Sequence, residues 1–321
     1  VHNEARFPIR LTNDLTGATT YLMLNHSITV KAAVAAIILS VLWGGNTPAI
    51  KIALGGVPPL ALAGIRFIMG ALTVLAWVLW SRIPLQPNRK ERQLLFFLLI
   101  LFVLQIYTLH VGTGFTLSAH AGVFVLTAPL FVTLLAHFFL PGDRLNSYKI
   151  AGLFLSFAGI LVIFGEGFLT SAMDYLIGDA IVILSGFLLG ARQVFTKTLT
   201  QSIHPARLLF WQATLSVPIF FVLSFIFEDL NSIYLDTRIV LSILYQGVVV
   251  AGLCFIFWTL LLHRYNASRL SVFGFVSPIA GVIISHFLLG EPMTNALIIG
   301  VLLVAAGIGV VNFRGLSSSA N

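Results

Sequence analysis

Charged residues are scarce in this sequence: Asp, Glu, Lys and Arg make up 9% of the 321 residues, whereas 58% are hydrophobic, and the mean hydropathy is +1.00. A soluble domain of this composition would have too little polar surface to cover itself. The sequence also lacks the alternation of polar and apolar residues over about ten residues that is typical of membrane strands. A soluble fold is therefore excluded, and helices, which satisfy their own backbone hydrogen bonds, are predicted to span a bilayer.

Several kinds of functional motif are also missing. No glycine-rich phosphate loop follows a strand, no group of His, Cys and carboxylate residues has metal-ligand spacing, and no nucleophile is paired with a base by spacing. We therefore expect no enzyme, no cofactor and no metal. No basic stripe alternates with aromatic residues, so we expect no nucleic-acid partner. Cys254 is the only cysteine, which excludes an intramolecular disulfide.

Ten stretches are apolar enough to cross a membrane, which takes roughly 20 residues. Residues 1–29 precede them and lack the apolar core and cleavage site of a secretory signal, so we predict a cytoplasmic tail. The stretches are residues 30–54, 58–80, 93–114, 118–140, 149–165, 178–198, 206–227, 239–262, 268–289 and 294–313.

The second half of the sequence repeats the first at an offset of 146 to 149 residues. The matched pairs are Lys51 with Lys197, Pro59 with Pro205, Pro129 with Pro278, His137 with His286, Gly152 with Gly300, and Gly159 with Gly307. Because five spans are an odd number, the second copy must enter the membrane in the opposite sense. We predict an all-α membrane protein of ten transmembrane helices in two inverted five-helix repeats, residues 30–165 and 178–314, followed by a cytoplasmic tail, residues 315–321.

The basic residues predict the orientation. With the N-terminus in the cytoplasm, fourteen Lys and Arg residues fall on inner segments, and only Lys51 and Arg238 fall on outer ends. We therefore place both termini in the cytoplasm. The net charge of +7 then reflects inner loops that face anionic lipid headgroups.

Three motifs support a family resemblance. They are Trp43-Gly-Gly-Asn-Thr-Pro, Pro58-Pro-Leu-Ala-Leu-Ala-Gly-Ile-Arg-Phe and Leu288-Leu-Gly-Glu-Pro-Met-Thr. With the two repeats, they resemble the drug/metabolite transporter superfamily and, more narrowly, two EamA domains. The resemblance implies export of small metabolites, often amino acids or related solutes, across a bacterial inner membrane. The first repeat departs from the pattern, because Leu140-Pro-Gly-Asp-Arg replaces Leu-Gly-Glu-Pro; we expect little consequence from Asp143 in this loop.

Polar side chains inside the predicted spans indicate the pathway, because a charge facing lipid costs about 2.5–3.5 kcal/mol. The predicted substrate-binding residues are Trp43, Asn46, Thr47, Gln105, Tyr107, His110, Arg192, Gln193, Trp211, Gln212, Tyr245, Gln246 and Trp258. For Trp43, Asn46 and Thr47 the alternative is a tightly packed helix crossing with a proline kink. For Trp211 and Trp258 it is packing, and for His110 it is packing or hydrogen bonding. We expect Arg66 to pair with helix-end carbonyls instead, because the second repeat has Gln212 at the same place.

Four residues are predicted to take part in gating. Lys51 and Lys197 end the first helix of each repeat, where they either extend to water or attract an anionic substrate. Pro129 and Pro278 are the predicted flexing points. The glycines of the fifth and tenth stretches are expected to let those helices pack closely.

The energy source and the oligomeric state stay open at this point. No Asp or Glu lies in the middle of a predicted span, which argues against a carboxylate relay, whereas His110, His120, His137 and His286 are either proton carriers or packing residues. Facilitated diffusion and exchange are as plausible as proton antiport. The alternative functions are a channel and a regulatory membrane scaffold that transports nothing. Lipid-facing and subunit-facing surfaces have similar compositions, so no oligomeric state is favoured.

Overall fold

The computed structural model describes residues 29–125, 127–139, 147–169, 175–199, 203–264 and 272–317, and all regular structure within them is helical. The α-helices are α1 (Val30–Gly44), α2 (Asn46–Ala53), α3 (Pro59–Trp80), α4 (Arg89–Phe115), α5 (Ser118–Val125), α6 (Ala128–Phe139), α7 (Ser147–Leu169), α8 (Leu176–Leu199), α9 (Pro205–Phe227), α10 (Thr237–Leu244), α11 (Phe255–Arg264), α12 (Val276–Leu289) and α13 (Asn295–Ser317). A π-helical segment, Tyr245–Cys254, joins α10 to α11. Most of the predicted N-terminal tail and the end of the C-terminal tail lie outside the described residues.

Within the described residues, seven helical segments are long and apolar enough to cross a membrane. They are Val30–Ala53, Pro59–Trp80, Arg89–Phe115, Ser118–Phe139, Leu176–Thr196, Pro205–Phe227 and Thr237–Trp258. Three shorter apolar segments, Ile150–Ile163, Val276–Leu289 and Asn295–Gly307, correspond to the predicted fifth, ninth and tenth stretches. In the ninth, a 3₁₀ turn, Val272–Phe275, precedes α12, and residues 265–271 lie outside the described residues. The chain is therefore an integral membrane protein with at least seven helices of spanning length.

The helices begin at residues that suit a helix N-terminus. Asn88 accepts a hydrogen bond from the Glu91 backbone N–H at 2.9 Å, and the Glu91 carboxylate accepts one from the Asn88 backbone N–H at 3.0 Å. This reciprocal capping box starts α4. Pro59 and Pro205 occupy the first turns of α3 and α9, where a missing N–H leaves no bond unmade. The polar loop residues therefore define where the apolar helices start.

The first span is broken at Gly45, between α1 and α2. The lack of side chains on both glycines here lets other helices approach closely, since a methyl group on Gly44 would lie 2.6 Å from the Ser277 carbonyl oxygen and one on Gly45 would lie 2.6 Å from the Tyr245 hydroxyl. That hydroxyl donates a hydrogen bond to the carbonyl of Leu42. The helix break is thus held against the π-helical segment.

The two halves pack against each other symmetrically. Helix α1 packs on α12 and α6 packs on α8, which are matching pairs from the two copies, while α3 packs on α9 and α7 on α13. The same contact occurs twice at the offsets of the sequence repeat: Gly44 meets Ser277, Ala280 and Gly281, and Gly190 meets Ala128, Phe131 and Val132. Such reciprocal contacts are what a twofold relation between the copies requires.

The contact between α7 and α13 has the same reciprocity. A methyl group on Gly159 would lie 2.6 Å from the Gly300 carbonyl oxygen, and one on Gly307 would lie 2.6 Å from the Gly152 carbonyl oxygen. Each glycine of one copy therefore contacts the non-equivalent glycine of the other. The predicted role of these glycines in close packing is confirmed.

Candidate functional site

Four buried polar residues are related in pairs by the sequence repeat. Asn46 and Arg192 are 146 residues apart, as are Arg66 and Gln212. Their exposed fractions are 9%, 8%, 3% and 8%, respectively. They lie on α2, α8, α3 and α9. Each copy thus contributes one charged and one neutral side chain to the interior, and the charged member differs between the copies.

Two phenylalanine rings connect the buried arginines. The Arg66 Cζ atom lies 5.2 Å from the centroid of the Phe67 ring, and the Arg192 Cζ atom lies 5.0 Å from that of Phe102. The two rings meet edge to face with their centroids 4.8 Å apart. A cation over an aromatic face gains about 0.5–2 kcal/mol. The rings therefore hold the guanidinium groups in place, although they do not neutralise them.

Three nitrogen atoms of the two arginines lack hydrogen-bond partners within the part of the chain that the structure describes. They are Nε and Nη1 of Arg66 and Nε of Arg192, and all three are buried. The prediction that Arg66 pairs with helix-end carbonyls is therefore not met at these two nitrogen atoms. The two guanidinium groups lie over neighbouring rings whose centroids are 4.8 Å apart, so two like charges share this part of the interior. Burying charge without a partner is costly, so this arrangement favours an anion bound beside the pair. We call Arg66 and Arg192 the arginine pair.

Every carboxylate side chain that the structure describes is hydrogen-bonded elsewhere. Glu91 pairs with Arg207 and caps α4, Asp179 bonds Thr116 and His120, Glu228 caps α3, Asp229 bonds Asn231, Asp236 caps α10, and Glu291 caps α5. None of these contacts reaches Arg66 or Arg192. Within the described side chains, the arginine pair thus has no acidic counterpart.

Neutral acceptors lie on α4. His110 is fully buried, and its Nδ1 atom donates to the Ile106 carbonyl at 2.8 Å, which leaves Nε2 as an acceptor without a partner. It lies within electrostatic range of Arg66. Gln105 donates through Nε2 to the Ser185 hydroxyl at 3.3 Å, and its Oε1 atom has no partner. The buried interior therefore offers cationic donors together with uncharged acceptors.

A small cavity adjoins the phenylalanine rings. Its volume of about 10 Å³ accommodates roughly one water molecule, so a metabolite requires the surrounding helices to separate. It is lined by Phe67, Val74, Phe102, Leu209, Gln212, Ala213, Ala251 and Phe255. The lining is mainly apolar and partly aromatic.

A second polar group holds helix ends together at one end of the bundle. The Lys51 ammonium donates to the carbonyls of Thr113, Gly114 and Thr116 at 3.1, 3.0 and 2.5 Å. These carbonyls end α4, where a positive charge is favourable. An ammonium has three protons to donate, and three carbonyls accept them. The structure thus supports a helix-capping role for Lys51 rather than attraction of an anionic substrate.

Glu291 and Asp179 complete this group. The Glu291 carboxylate accepts hydrogen bonds from the backbone N–H groups of Ser118 and Ala119 at 2.8 and 2.9 Å, at the start of α5. Asp179, in the first turn of α8, accepts hydrogen bonds from the Thr116 hydroxyl and from His120 Nδ1, the latter at 3.2 Å. We call Lys51, Thr116, Ser118, His120, Asp179 and Glu291 the capping cluster. Sequence reasoning placed Glu291 in a family motif without assigning it a role, although that motif was the available signal.

A third polar contact joins α4 to α9. Arg207 pairs with Glu91 at 2.9 Å and donates through Nε to the Pro84 carbonyl at 3.1 Å. Trp211 Nε1 donates to the Leu85 carbonyl at 2.7 Å. Since Glu91 and Arg207 occupy the first turns of their helices, this contact lies at helix starts. The structure therefore places Trp211 with these loop residues.

The other predicted binding residues separate into two groups. Trp43, Trp258, Thr47 and Gln246 face other helices: the Trp43 and Trp258 ring centroids are 5.1 Å apart, Thr47 lies against Gly122, and Gln246 donates to the Ala49 carbonyl at 3.1 Å. Tyr245 bonds Leu42, as described above. Tyr107 and Gln193 are on the exposed surface.

Of the remaining gating residues, Pro278 is buried in α12. The side chains of Lys197 and Pro129 lie outside the described side chains. Among the residues that the structure covers, no group of three or more His, Cys, Asp or Glu side chains is placed to hold a metal ion.

Comparison with known proteins gives consistent matches. The model of the EamA-like transporter family matches residues 30–165 and again residues 176–313. The uncharacterized transporter YoaV of Bacillus subtilis is 29% identical over 287 residues, which cover 88% of this chain and 97% of that protein. A probable amino-acid metabolite efflux pump of Escherichia coli is 29% identical over 294 residues, covering 89% and 96%. A protein of the same description from Salmonella typhimurium is 30% identical over 289 residues, covering 87% and 94%.

A solved crystal structure has the same fold. It aligns with a TM-score of 0.67 and 20% sequence identity, covering 88% of this chain and 98% of that chain. At this identity the likeness concerns the fold alone.

Proposed function

We propose that this chain, which belongs to the EamA-like transporter family of the drug/metabolite transporter superfamily, is a secondary transporter that exports small metabolites by alternating access across a bacterial inner membrane. The observation that carries the proposal is the arginine pair, one buried arginine from each copy, which has no acidic counter-charge among the described side chains. The description of two relatives as probable amino-acid metabolite efflux pumps supports the outward direction and the substrate size.

The proposed architecture is ten membrane helices in two inverted repeats. The symmetric contacts of Gly44 and Gly190 support it, as does the double match of the family model. In inverted repeats, a twofold axis in the membrane plane brings the equivalent first and second helices of both copies to the bilayer midplane. Asn46, Arg66, Arg192 and Gln212 lie on those helices, so we place the substrate there. Both termini are cytoplasmic in this arrangement, with the capping cluster on the outer side.

Alternating access requires that the outer end open. The capping cluster ties the end of α4 and the starts of α5 and α8 to Lys51 and Glu291. The cavity beside the phenylalanine rings is too small for a metabolite. The described conformation therefore fits a state closed at that end. Opening separates these helix ends, with Pro129 and Pro278 as the flexing points and the Gly45 break as a further one.

Transport by the reconstituted protein tests the proposal. Purified protein in vesicles loaded with a labelled pool of metabolites, with and without a pH gradient, should release a few compounds with saturable kinetics. A dependence on the gradient would identify proton antiport, and its absence would identify facilitated diffusion or exchange. Arg192→Ala should abolish release, whereas Lys90→Gln, which removes an exposed positive charge, should not.

Two outcomes contradict the proposal. Release that does not saturate would indicate a channel. Release of nothing across a broad pool, from a protein that remains folded, would indicate a scaffold that transports nothing.

A further inference from the structure

We infer that the substrate is an organic carboxylate without a charged amine, with its carboxylate between Arg66 and Arg192 and an apolar body against Phe67 and Phe102. This inference rests on the proposed function and specifies its substrate class. It excludes free amino acids as the preferred substrates and favours derivatives whose amine is acylated or replaced, such as N-acyl amino acids and 2-hydroxy acids.

The charges of the buried interior are the reason to expect an anion without an ammonium group. Arg66 and Arg192 bring two positive charges, and every described carboxylate side chain is hydrogen-bonded at another place. A zwitterionic amino acid would bring an ammonium group into this positive field without a carboxylate to receive it. An anion without an ammonium is attracted by both arginines and meets no repulsion.

The geometry of the donors carries the second step. Three guanidinium nitrogen atoms, Nε and Nη1 of Arg66 and Nε of Arg192, are buried without acceptors. A guanidinium is a planar fork that matches the two oxygens of a carboxylate. Because each arginine rests on a phenylalanine ring about 5 Å away, its plane is held before a ligand arrives. The arrangement is thus suited to a planar anionic group.

The remaining acceptors carry the third step. His110 Nε2 and Gln105 Oε1 have no hydrogen-bond donor within the described residues. They are uncharged acceptors on the same helix as Phe102, whose ring lies under the Arg192 guanidinium. A neutral amide N–H or hydroxyl on the substrate can donate to them without adding positive charge. These two neutral acceptors therefore favour a substrate with an N-acyl or hydroxyl group beside the carboxylate.

The cavity lining carries the last step. Phe67 and Phe102 line the cavity beside the arginine pair, together with Phe255 and aliphatic residues, and Gln212 is its polar member. An aromatic or branched aliphatic body therefore suits the space that opens when the helices separate. The predicted ligand combines one anionic end, one neutral donor and an apolar body.

Four matched compounds test the inference by binding, without requiring transport. N-acetylphenylalanine is the anion, phenylalanine the zwitterion, N-acetylphenylalanine amide the neutral form and phenethylamine the cation. Each is added to the purified full-length protein in detergent, and the ligand-induced rise in Tm is measured over a concentration series. Only N-acetylphenylalanine should raise the Tm strongly. Phenylalanine should bind at least about tenfold more weakly than N-acetylphenylalanine.

Variants separate binding from folding. Arg66→Gln and Arg192→Gln should each weaken N-acetylphenylalanine binding by about 10- to 100-fold, while Arg192→Lys, which keeps the charge but loses the fork, should retain part of the affinity. Lys90→Gln is the matched control and should bind as the wild type does. Circular dichroism and gel filtration show whether each variant is folded, and Arg192→Lys keeps the test decisive where a glutamine variant fails to fold.

The outcomes distinguish this inference from the proposed function. Equal or stronger binding of phenylalanine, or anion binding unaffected by both glutamine variants, would overturn the inference. Saturable transport of phenylalanine by the vesicles would then leave the proposed function intact. Conversely, selective binding of N-acetylphenylalanine with no transport of any compound would support the inference and overturn the proposed function.

Discussion

The capping cluster and the arginine pair differ in whether their charged groups have hydrogen-bond partners. In the capping cluster, Lys51 donates to three carbonyls, and Glu291 accepts from two backbone N–H groups. In the arginine pair, three buried nitrogen atoms have no acceptor among the described residues, and the two like charges lie over neighbouring phenylalanine rings. Hydrogen bonds of this kind stabilise a fold, whereas unpaired buried charges destabilise it. We therefore propose that the unpaired buried charges mark the ligand site and that the hydrogen-bonded charges of the capping cluster are structural contacts.

The largest effect is expected where the two charges are removed together. In the variant Arg66→Met with Arg192→Met, transport should fall by at least about 100-fold, while the free energy of unfolding should stay unchanged or rise, because an unpaired buried charge is replaced by an apolar side chain. Vesicle transport and thermal unfolding measure the two quantities. A variant that loses stability and keeps its transport would show that the two arginines are structural and do not bind the substrate.

The next effect concerns the capping cluster. Glu291→Ala leaves the Ser118 and Ala119 N–H groups at the start of α5 without their acceptor. The free energy of unfolding should fall by about 2–4 kcal/mol, since a charged acceptor of two buried donors is lost. Glu291→Gln, which keeps one acceptor oxygen, should lose less. Unfolding in detergent, followed by circular dichroism, measures both. Unchanged stability in Glu291→Ala would place this carboxylate outside the structural contacts.

A smaller effect tests the symmetric packing of the two copies. Gly159→Ala places a methyl group 2.6 Å from the Gly300 carbonyl oxygen, so the free energy of unfolding should fall by about 1–3 kcal/mol. Gly165→Ala on the same helix is the matched control, because nothing lies within 4 Å of the added methyl group. It should be neutral or slightly stabilising. If the two variants unfold alike, the close contact between α7 and α13 is incorrect.

The smallest effect is expected at Lys51. Lys51→Met removes donors from three carbonyls at the end of α4, and the half-buried site should lose about 1–2 kcal/mol of stability. The substrate KM should change less than about twofold, because the ammonium faces the protein's own carbonyls. Transport kinetics over a substrate series measure it. A rise in KM of about tenfold with unchanged stability would restore the gate hypothesis for this lysine.

Much of the fold could be predicted from the sequence, because hydropathy and the internal repeat depend on local composition and on spacing. Gly152, Gly159, Gly300 and Gly307 showed where the copies pack. One detail needed the tertiary structure: a 3₁₀ turn, Val272–Phe275, precedes α12 within the predicted ninth span, whose predicted start at residue 268 lies outside the described residues. Hydropathy does not register this turn, because Val272, Phe273 and Phe275 are as apolar as the residues of α12.

The site was predicted in part. The repeat pointed to Arg192 through Asn46, and both are buried. The prediction for Arg66 was a helix-end carbonyl partner, which its Nε and Nη1 atoms lack among the described residues, whereas Lys51 donates to three such carbonyls. These contacts join residues 62 to 65 positions apart, so spacing on a single helix cannot reveal them. Sequence reasoning finds the polar residues inside a membrane, and only the tertiary contacts separate the satisfied ones from the unsatisfied.

One measurement tests the role of the arginine pair most directly: the Tm of the wild type and of the Arg66→Met, Arg192→Met variant, each with and without N-acetylphenylalanine. The variant is expected to melt at the same temperature as the free wild type or higher, and the ligand should raise the Tm of the wild type alone. A variant that melts lower than the wild type and is stabilised equally by the ligand would show that the arginines are structural and that the anion binds elsewhere.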